Sequence, residues 1–226
     1  MTQPTPAIAV VLSGCGVYDG AEIHESVLTL LALDRQGAAY QCFAPDVDQA
    51  HVVNHLTGEE SPESRNVLVE SARIARGAVK PLSDYDADAF DAIIFPGGFG
   101  AAKNLCSFAF DGADCTINPD VEAAVRATHA ARKPIGALCI APALMAKIFE
   151  HAEVTIGQDE GTAEAITAMG GQHIKTTHGQ VVIDPRLRLA TSPCYMLDST
   201  IGQIADGAEN TVRTILEMVA EDRAAA

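Results

Sequence analysis

Tryptophan is absent, and aromatic residues of all kinds make up only 5% of the 226 residues. Small aliphatic side chains, Ala prominent among them, must therefore fill the core, which suits helices packed closely on a sheet. Basic residues are scarce as well. Fifteen Lys and Arg stand against 30 Asp and Glu, a formal net charge of −15 with a pI near 4.7. No basic patch is left to neutralise phosphates, which excludes nucleic acid as a partner. An anionic membrane surface is equally unattractive, and no apolar run reaches the ~20 residues that span a bilayer. The opening MTQPTPAIAVVLSGCG has no positive region before its short apolar run, so it does not read as a secretory signal, and a cytoplasmic location is the default expectation. None of the six cysteines (15, 42, 106, 115, 139 and 194) forms a CxxC pair, and their spread matches neither a disulfide framework nor a zinc site. Reduced thiols, no metal and no cofactor are expected.

What is present is a chain long enough for a full core, with roughly 70% of its surface buried on folding. Its length fits one domain over residues 1–226. Ala7 to Leu12 is apolar without alternation and reads as a strand covered on both faces. A helix is predicted from about Glu22 to Gln36, ended by Gly37, and a second strand over Tyr40 to Ala44. Residues 46–63 are polar and loop-like, with one helical turn at Val52–Leu56, and Ser64 to Arg76 reads as a helix. Asp91 to Phe95 is a buried strand closed by Pro96-Gly97-Gly98. Asn118-Pro119 opens a helix running to about Ala131, and Ile135 to Leu138 is a further buried strand followed by a short helix over Ala141 to Phe149. Val154–Ile156 is short and β-branched, and Thr162 to Met169 is helical. Val181–Ile183 and Leu187–Thr191 flank a turn and form a hairpin, and the last helix runs from near Asp198 to about Glu221. The alternation indicates a doubly wound α/β fold with a mostly parallel sheet, helices on both faces and a small antiparallel hairpin. Ligands in such sheets sit beyond the carboxyl ends of the strands.

Three features arrive there. Ile135-Gly136-Ala137-Leu138 delivers Cys139 to a tight strand-to-helix turn, as the nucleophile elbow of hydrolases delivers a serine. The following helix N-terminus is expected to favour the thiolate. A buried structural cysteine is the plainer alternative. Pro96-Gly97-Gly98-Phe99-Gly100 lacks the spacing of a dinucleotide fingerprint or a P-loop. Its backbone N–H groups, with that of Ile140, can form an oxyanion hole. Asn104 and Lys103 follow it and either cap the next segment or touch substrate. The loop Ser13-Gly14-Cys15-Gly16-Val17-Tyr18-Asp19-Gly20 leads to Glu22 and Glu25, which serve either as helix caps or as an acid/base beside the sulfur. His24, between them, points elsewhere, and Cys15 is a rival thiol. None of the seven histidines (24, 51, 55, 129, 151, 173 and 178) is marked as a partner for the cysteine, and His51 and His55 lack the glutamate of H-E-x-x-H.

The stretches LSGCGVYDGAEIHE, CFAPD, ESRNVLVESARIARG, IIFPGGFGAAKNL, KPIGALCIAPAL and TSPCYM carry a resemblance across nearly the whole chain. The sequence resembles the ThiJ/PfpI branch of the class I glutamine amidotransferase-like superfamily, and its ElbB-type members most of all. The resemblance implies a flavodoxin-like fold, a homodimer and a nucleophile at Cys139 with the Gly98 and Ile140 amides as oxyanion hole. A helix-1 glutamate meets the cysteine in this superfamily. Counting back from Gly37 selects Glu25, with Glu22 as competitor. Gly97, Cys15, Gly16 and Asn104 are expected to line the site. Related enzymes carry a histidine about twenty residues after the cysteine, where this chain has Gly157-Gln158-Asp159-Glu160. The activity implied is that of a weak cofactor-independent glyoxalase. Cys139 would add to a small 2-oxoaldehyde such as glyoxal, and a 2-hydroxy acid would be released. The alternatives are a non-catalytic small-molecule-binding or redox-responsive protein, or an accessory factor linked to isoprenoid metabolism.

Overall fold

The structure is a computed structural model and describes residues 4–225. In chain order the elements are β1 (Ala7–Val11), α1 (Ile23–Arg35), β2 (Ala39–Ala44), α2 (Val67–Ile74), β3 (Val79–Pro81), β4 (Ala92–Phe95), α3 (Phe99–Lys103) and α4 (Phe108–Asp111). There follow α5 (Pro119–Ala130), β5 (Ile135–Leu138), α6 (Pro142–Ile148), β6 (Glu153–Val154), α7 (Glu160–Ala168), β7 (Gln172–His173), β8 (Val182–Asp184), β9 (Leu189–Ser192) and α8 (Ile201–Ala225). Seven strands make one sheet in the order β3-β2-β1-β4-β5-β9-β8, parallel throughout except for the antiparallel β8–β9 pair. β6 and β7 form a separate parallel pair.

The two-residue period of the strands sorts the core into two layers. Ala9, Val11, Ile93, Phe95, Ile135 and Ala137 point to one face, where α5 and α6 bring Val121, Val125, Leu144 and Met145. Ile8, Val10, Ala92 and Ile94 point to the other, against Leu30 and Leu33 of α1 and Val212, Ile215 and Val219 of α8. Both faces are covered, which is why the strands read as unbroken apolar runs rather than alternating ones. Each fully buried Leu or Ile contributes roughly 1.5–3 kcal/mol. α8 begins with a reciprocal cap. Thr200 Oγ1 accepts from the Gln203 N–H (3.3 Å) and Gln203 Oε1 from the Thr200 N–H (2.8 Å). The helix therefore starts three residues later than the apolar pattern alone predicts.

Two other expectations are corrected. Val52–Leu56 is not a helical turn. Val53 and Glu60 form an antiparallel bridge around a turn in which Asn54 Oδ1 accepts from the Leu56 N–H (3.0 Å) and the Gly58 N–H donates to the Asn54 carbonyl (2.7 Å). An Asn side chain competing for local amides favours a turn over a helix. The helix expected over 64–76 is shorter, because Asn66 caps it through the Val69 N–H (3.0 Å). β3 lies at the sheet edge in a stretch that carries no strand pattern, since Val79 and Pro81 are only half-buried.

Candidate functional site

The strand order reverses between β1 and β4, so the loops leaving their carboxyl ends diverge over a crevice. The loop after β1 and the loop after β4 meet there backbone to backbone. The Phe99 N–H donates to the Val17 carbonyl (2.8 Å), Gly100 N–H to Gly20 carbonyl (2.8 Å) and Glu22 N–H to Gly97 carbonyl (2.9 Å). Gly98 stands at φ +97°, and a Cβ on it would lie 2.5 Å from the Gly20 carbonyl oxygen. Only glycine fits.

β5 delivers Cys139 into the same crevice at φ +60°, in the left-handed region that a non-glycine residue rarely adopts. Its N–H donates to the Ser192 carbonyl of β9 (2.9 Å), and Pro142 starts α6 directly afterwards. The side chain is 6% exposed. Its sulfur and Glu25 Oε2 flank the Gly97 Cα together.

Glu22 and Glu25 are placed differently by where α1 begins. Glu22 has extended backbone (φ −64°, ψ 124°), and its Oε2 accepts from the Glu25 N–H at 2.7 Å, an N-cap. It is outside the helix, so the two carboxylates do not share a helical face. Glu25 is fully buried. Its Oε2 accepts from the Gly97 N–H (3.0 Å) and its Oε1 accepts from the Tyr195 N–H (3.0 Å), and Oε2 lies on the Cys139 side of Gly97. A Cβ at Gly97 would stand 2.7 Å from Glu25 Oε2 and 2.9 Å from Cys139 Sγ, so glycine there lets the acid reach the sulfur.

Burial pushes the Glu25 carboxyl up to about 7, against the pull of its two backbone donors. The Cys139 thiol is also pushed up, first by burial and then by the charge of Glu25, while the Gly98 N–H draws it down. This corrects the expectation that the helix N-terminus lowers it. α6 has only seven residues, and desolvation of a buried sulfur outweighs its dipole. Two desolvated acids in contact hold at least one proton between them at neutral pH.

Above the sulfur opens a cavity of about 420 Å³, walled chiefly by Val17, Phe99, Phe108, Ile140, Tyr195 and Met196. Gly98 and Ile140 line it. Gly97, Cys15, Gly16 and Asn104 do not. Asn104 instead ties loops together, donating through Nδ2 to the carbonyls of Ser13 and Asp19 (2.9 Å each) and accepting from the Ala50 N–H (2.9 Å). Lys103 Nζ donates to the Tyr18 carbonyl (2.9 Å). The Gly16 N–H donates to the Ala21 carbonyl (2.9 Å), within the turn. Cys15 is half-buried near Glu70 and Arg73 of α2, and burial raises its thiol.

No histidine lines the cavity. His55, between β2 and α2, is held against the loop after β1, Nδ1 on the Val53 carbonyl (2.9 Å) and Nε2 accepting from the Tyr18 N–H (3.2 Å). His24 is outside the cavity, its Nδ1 2.8 Å from the Tyr195 hydroxyl. Among the described residues no cluster of His, Cys, Asp and Glu could hold a metal ion. Tyr195 lines the cavity and Cys194 packs against Cys139, two placements that the sequence pattern alone does not mark. Their signal is PCYM at the end of a buried strand, with Cys194 at φ +41° repeating the strand-end strain of Cys139. Asp159 reaches the cavity wall as the N-cap of α7, accepting from the Thr162 N–H (2.8 Å), and the Thr162 side chain first, then its N–H, hold the carboxyl below the ordinary range.

No protein-family model matches the chain. The human protein named "Glutamine amidotransferase-like class 1 domain-containing protein 3, mitochondrial" is 48% identical, the match covering 96% of this chain and 84% of that one. The rat "ES1 protein homolog, mitochondrial" is 47% identical, covering 96% and 85%. An isoprenoid biosynthesis protein with amidotransferase-like domain from Ehrlichia chaffeensis, known from its crystal structure, is 38% identical with a TM-score of 0.87, covering 94% of this chain and 99% of that one. The mitochondrial relatives overturn the cytoplasmic expectation. Location is addressed by a targeting segment, so the composition of a folded domain carries no information about it. With identities of this size over nearly its whole length, the chain belongs to the ElbB-type group of the ThiJ/PfpI-like class I glutamine amidotransferase superfamily.

Proposed function

We propose that the protein binds small electrophilic carbonyl compounds through reversible addition of Cys139. The observation that carries this reading is the placement of Glu25, which has no exposed surface, is hydrogen-bonded to two backbone amides and is held beside the sulfur. It is built to set the protonation of the thiol rather than to reach a substrate carbon. In the proposed step the proton of Cys139 leaves, the sulfur forms a bond to the aldehyde carbon, and the carbonyl oxygen takes up a proton to give a hemithioacetal. The N–H groups of Gly98 and Ile140 would hold that oxygen while it is negative. The wall offers no histidine, and Asp159 is a cap with a lowered pKa, so a ready base for later steps is lacking.

A second reading is the weak glyoxalase, in which Glu25 moves a proton between carbon and oxygen and water releases glycolate. Its support is the Glu25 carboxyl near 7, the value suited to a general acid/base at neutral pH. An accessory role in isoprenoid metabolism rests on the description of the Ehrlichia relative alone.

Incubation of wild type and Cys139→Ser with glyoxal, followed by intact-mass measurement and glycolate assay, separates these readings. A single Cys139-dependent adduct that reverses on dilution, with no glycolate above the variant, is expected. Cys139-dependent glycolate would establish turnover, and absence of any adduct at Cys139 would sink both. A homodimer is proposed from the family pattern. Sedimentation at micromolar concentration showing only a species near 23.7 kDa would rule it out.

A further inference from the structure

The cavity above Cys139 is larger and more apolar than a molecule such as glyoxal requires. Its volume of about 420 Å³ lies within the roughly 300–1,000 Å³ of sites that enclose drug-sized ligands. Its walls come from the carboxyl ends of four strands. Val17 follows β1, Phe99 follows β4, Ile140 follows β5, and Tyr195 and Met196 follow β9. Phe108 of α4 completes them. It sits on a segment that doubles back between α3 and α5, where Cys106 bridges Ile117 and the Ser107 N–H donates to the Thr116 carbonyl (3.0 Å).

Phe108, Ile140 and Met196 each pack against the buried core, so this wall is anchored from behind. All three nonetheless keep part of their surface open, and Phe99 is 50% exposed. Apolar side chains gathered from distant segments and left uncovered over a nucleophilic sulfur are surface that a ligand can take out of water. Glyoxal, small and polar, would leave most of that surface wet. The charge of the wall points the same way. Asp159 lines it as a carboxylate, held below the ordinary range by Thr162, and among the described residues no Lys or Arg lines it. Lys103 is outside the wall, its Nζ 5.3 Å from the Phe99 ring centroid and donating to the Tyr18 carbonyl (2.9 Å). The formal net charge of −15 adds a field that opposes anions.

We propose that the carbonyl compounds this cavity selects are neutral aldehydes carrying an apolar chain or ring, and that it rejects aldehydes bearing a carboxylate. The selection rests on addition at Cys139 for the reacting atom, and the walls act on the remainder of the molecule. On addition the S–C bond forms, the carbonyl π bond opens and the thiol proton ends on the oxygen, so no oxidant or further reactant is consumed. The chain then runs up from the sulfur among Phe99, Phe108 and Met196, whose flexible thioether adapts to its shape. Each methylene taken out of water tightens binding by roughly fourfold when fully covered. A carboxylate at the end of the same chain would lose its hydration beside Asp159 with no cation to receive it.

Protection of Cys139 from iodoacetamide in the full chain, read by peptide mass mapping, measures occupancy. Propanal, hexanal and 6-oxohexanoate are the probes. Each protection constant is divided by the hemithioacetal constant of the same aldehyde with N-acetylcysteine, which removes intrinsic reactivity. 1-Hexanol supplies the chain without the carbonyl. Hexanal is expected to bind at least roughly tenfold more tightly than propanal and at least roughly tenfold more tightly than 6-oxohexanoate, with hexanol weak. Asp159→Asn keeps an N-cap on α7 and should narrow the gap between hexanal and 6-oxohexanoate severalfold. Equal normalised protection by propanal and hexanal, or by hexanal and 6-oxohexanoate, would overturn the assignment while leaving addition at Cys139 in place. Equal protection by hexanol and hexanal would uphold the preference for apolar chains and remove the addition. Protection by none of these probes would overturn both.

Discussion

The Tyr195 backbone N–H donates to Oε1 of Glu25 at 3.0 Å, joining residues 170 positions apart in the chain. The segment after β9 thereby fixes the acid that α1 contributes, while the loop after β4 holds its other oxygen through Gly97. Two amides on one carboxyl leave it a single direction in which to meet the sulfur.

Glu25→Gln keeps an N–H donor for Cys139 but has one acceptor oxygen for two backbone donors. One buried N–H is left unsatisfied, at about 1–3 kcal/mol. Glu25→Ala strands both donors and removes the carboxylate that raises the Cys139 thiol. Iodoacetamide labelling of Cys139 at pH 7 should rise in both variants, and more in Gln, whose N–H can donate to the thiolate. Glu22→Ala loses only an N-cap, about 0.5–2 kcal/mol, and should change Cys139 labelling little. A larger effect from Glu22 than from Glu25 would reverse the assignment.

The raised carboxyl of Glu25 makes stability depend on pH. Its ordinary value is 4.5 and its folded value about 7. Below 4.5 it is protonated in both the folded and unfolded states, and its contribution to stability is greatest. Between 4.5 and 7 only the unfolded state ionises, so stability falls with rising pH, by on the order of 3 kcal/mol in all. Above 7 both states are ionised and the slope vanishes. Urea denaturation from pH 4 to 8 should show this decline in wild type and lose it in Glu25→Gln. An unchanged slope in the variant would place the titration elsewhere.

Gly97→Ala puts a methyl between Glu25 and Cys139, 2.7 Å from Oε2 and 2.9 Å from Sγ. Neither partner can yield without losing its backbone bonds, so destabilisation of at least about 1–3 kcal/mol is expected, with Cys139 labelling raised as in Glu25→Ala. Labelling at the wild-type rate would show that the acid–thiol contact is dispensable.

Tyr195→Phe removes the hydroxyl beside His24 Nδ1 but keeps the amide on Glu25. A cost of about 0.5–1.5 kcal/mol is expected, with Cys139 labelling unchanged. A marked drop would assign the hydroxyl to the chemistry of the cavity.

Reagent size should separate Cys15 from Cys139. Cys15 is half-buried and Cys139 is 6% exposed at the floor of a cavity. Peptide mapping after brief labelling should find bulky maleimides on Cys15 first and small carbonyls or iodoacetamide on Cys139. Failure of every small reagent at Cys139 would remove it as the nucleophile.

The local order of residues was sufficient for much of this. Unbroken apolar runs at Ala7–Leu12, Ala92–Phe95 and Ile135–Leu138 specify buried parallel strands, because both faces of each must be covered. A cysteine at the end of one and glycines at the end of its neighbour specify the elbow and the facing loop, since backbone geometry there depends on adjacent residues alone. Other features depend on where distant segments stop. Glu22 and Glu25 are chemically alike, and only the start of α1 makes one a cap and the other the partner of Cys139. The rise of the Cys139 thiol comes from burial, a property of the packed crevice and not of the turn. Tyr195 reaches Glu25, and Cys106 pairs with Ile117, because chain segments meet across intervening loops. Sequence spacing carries no record of those meetings. They exist once the sheet order and the hairpin between α3 and α5 bring the backbones together.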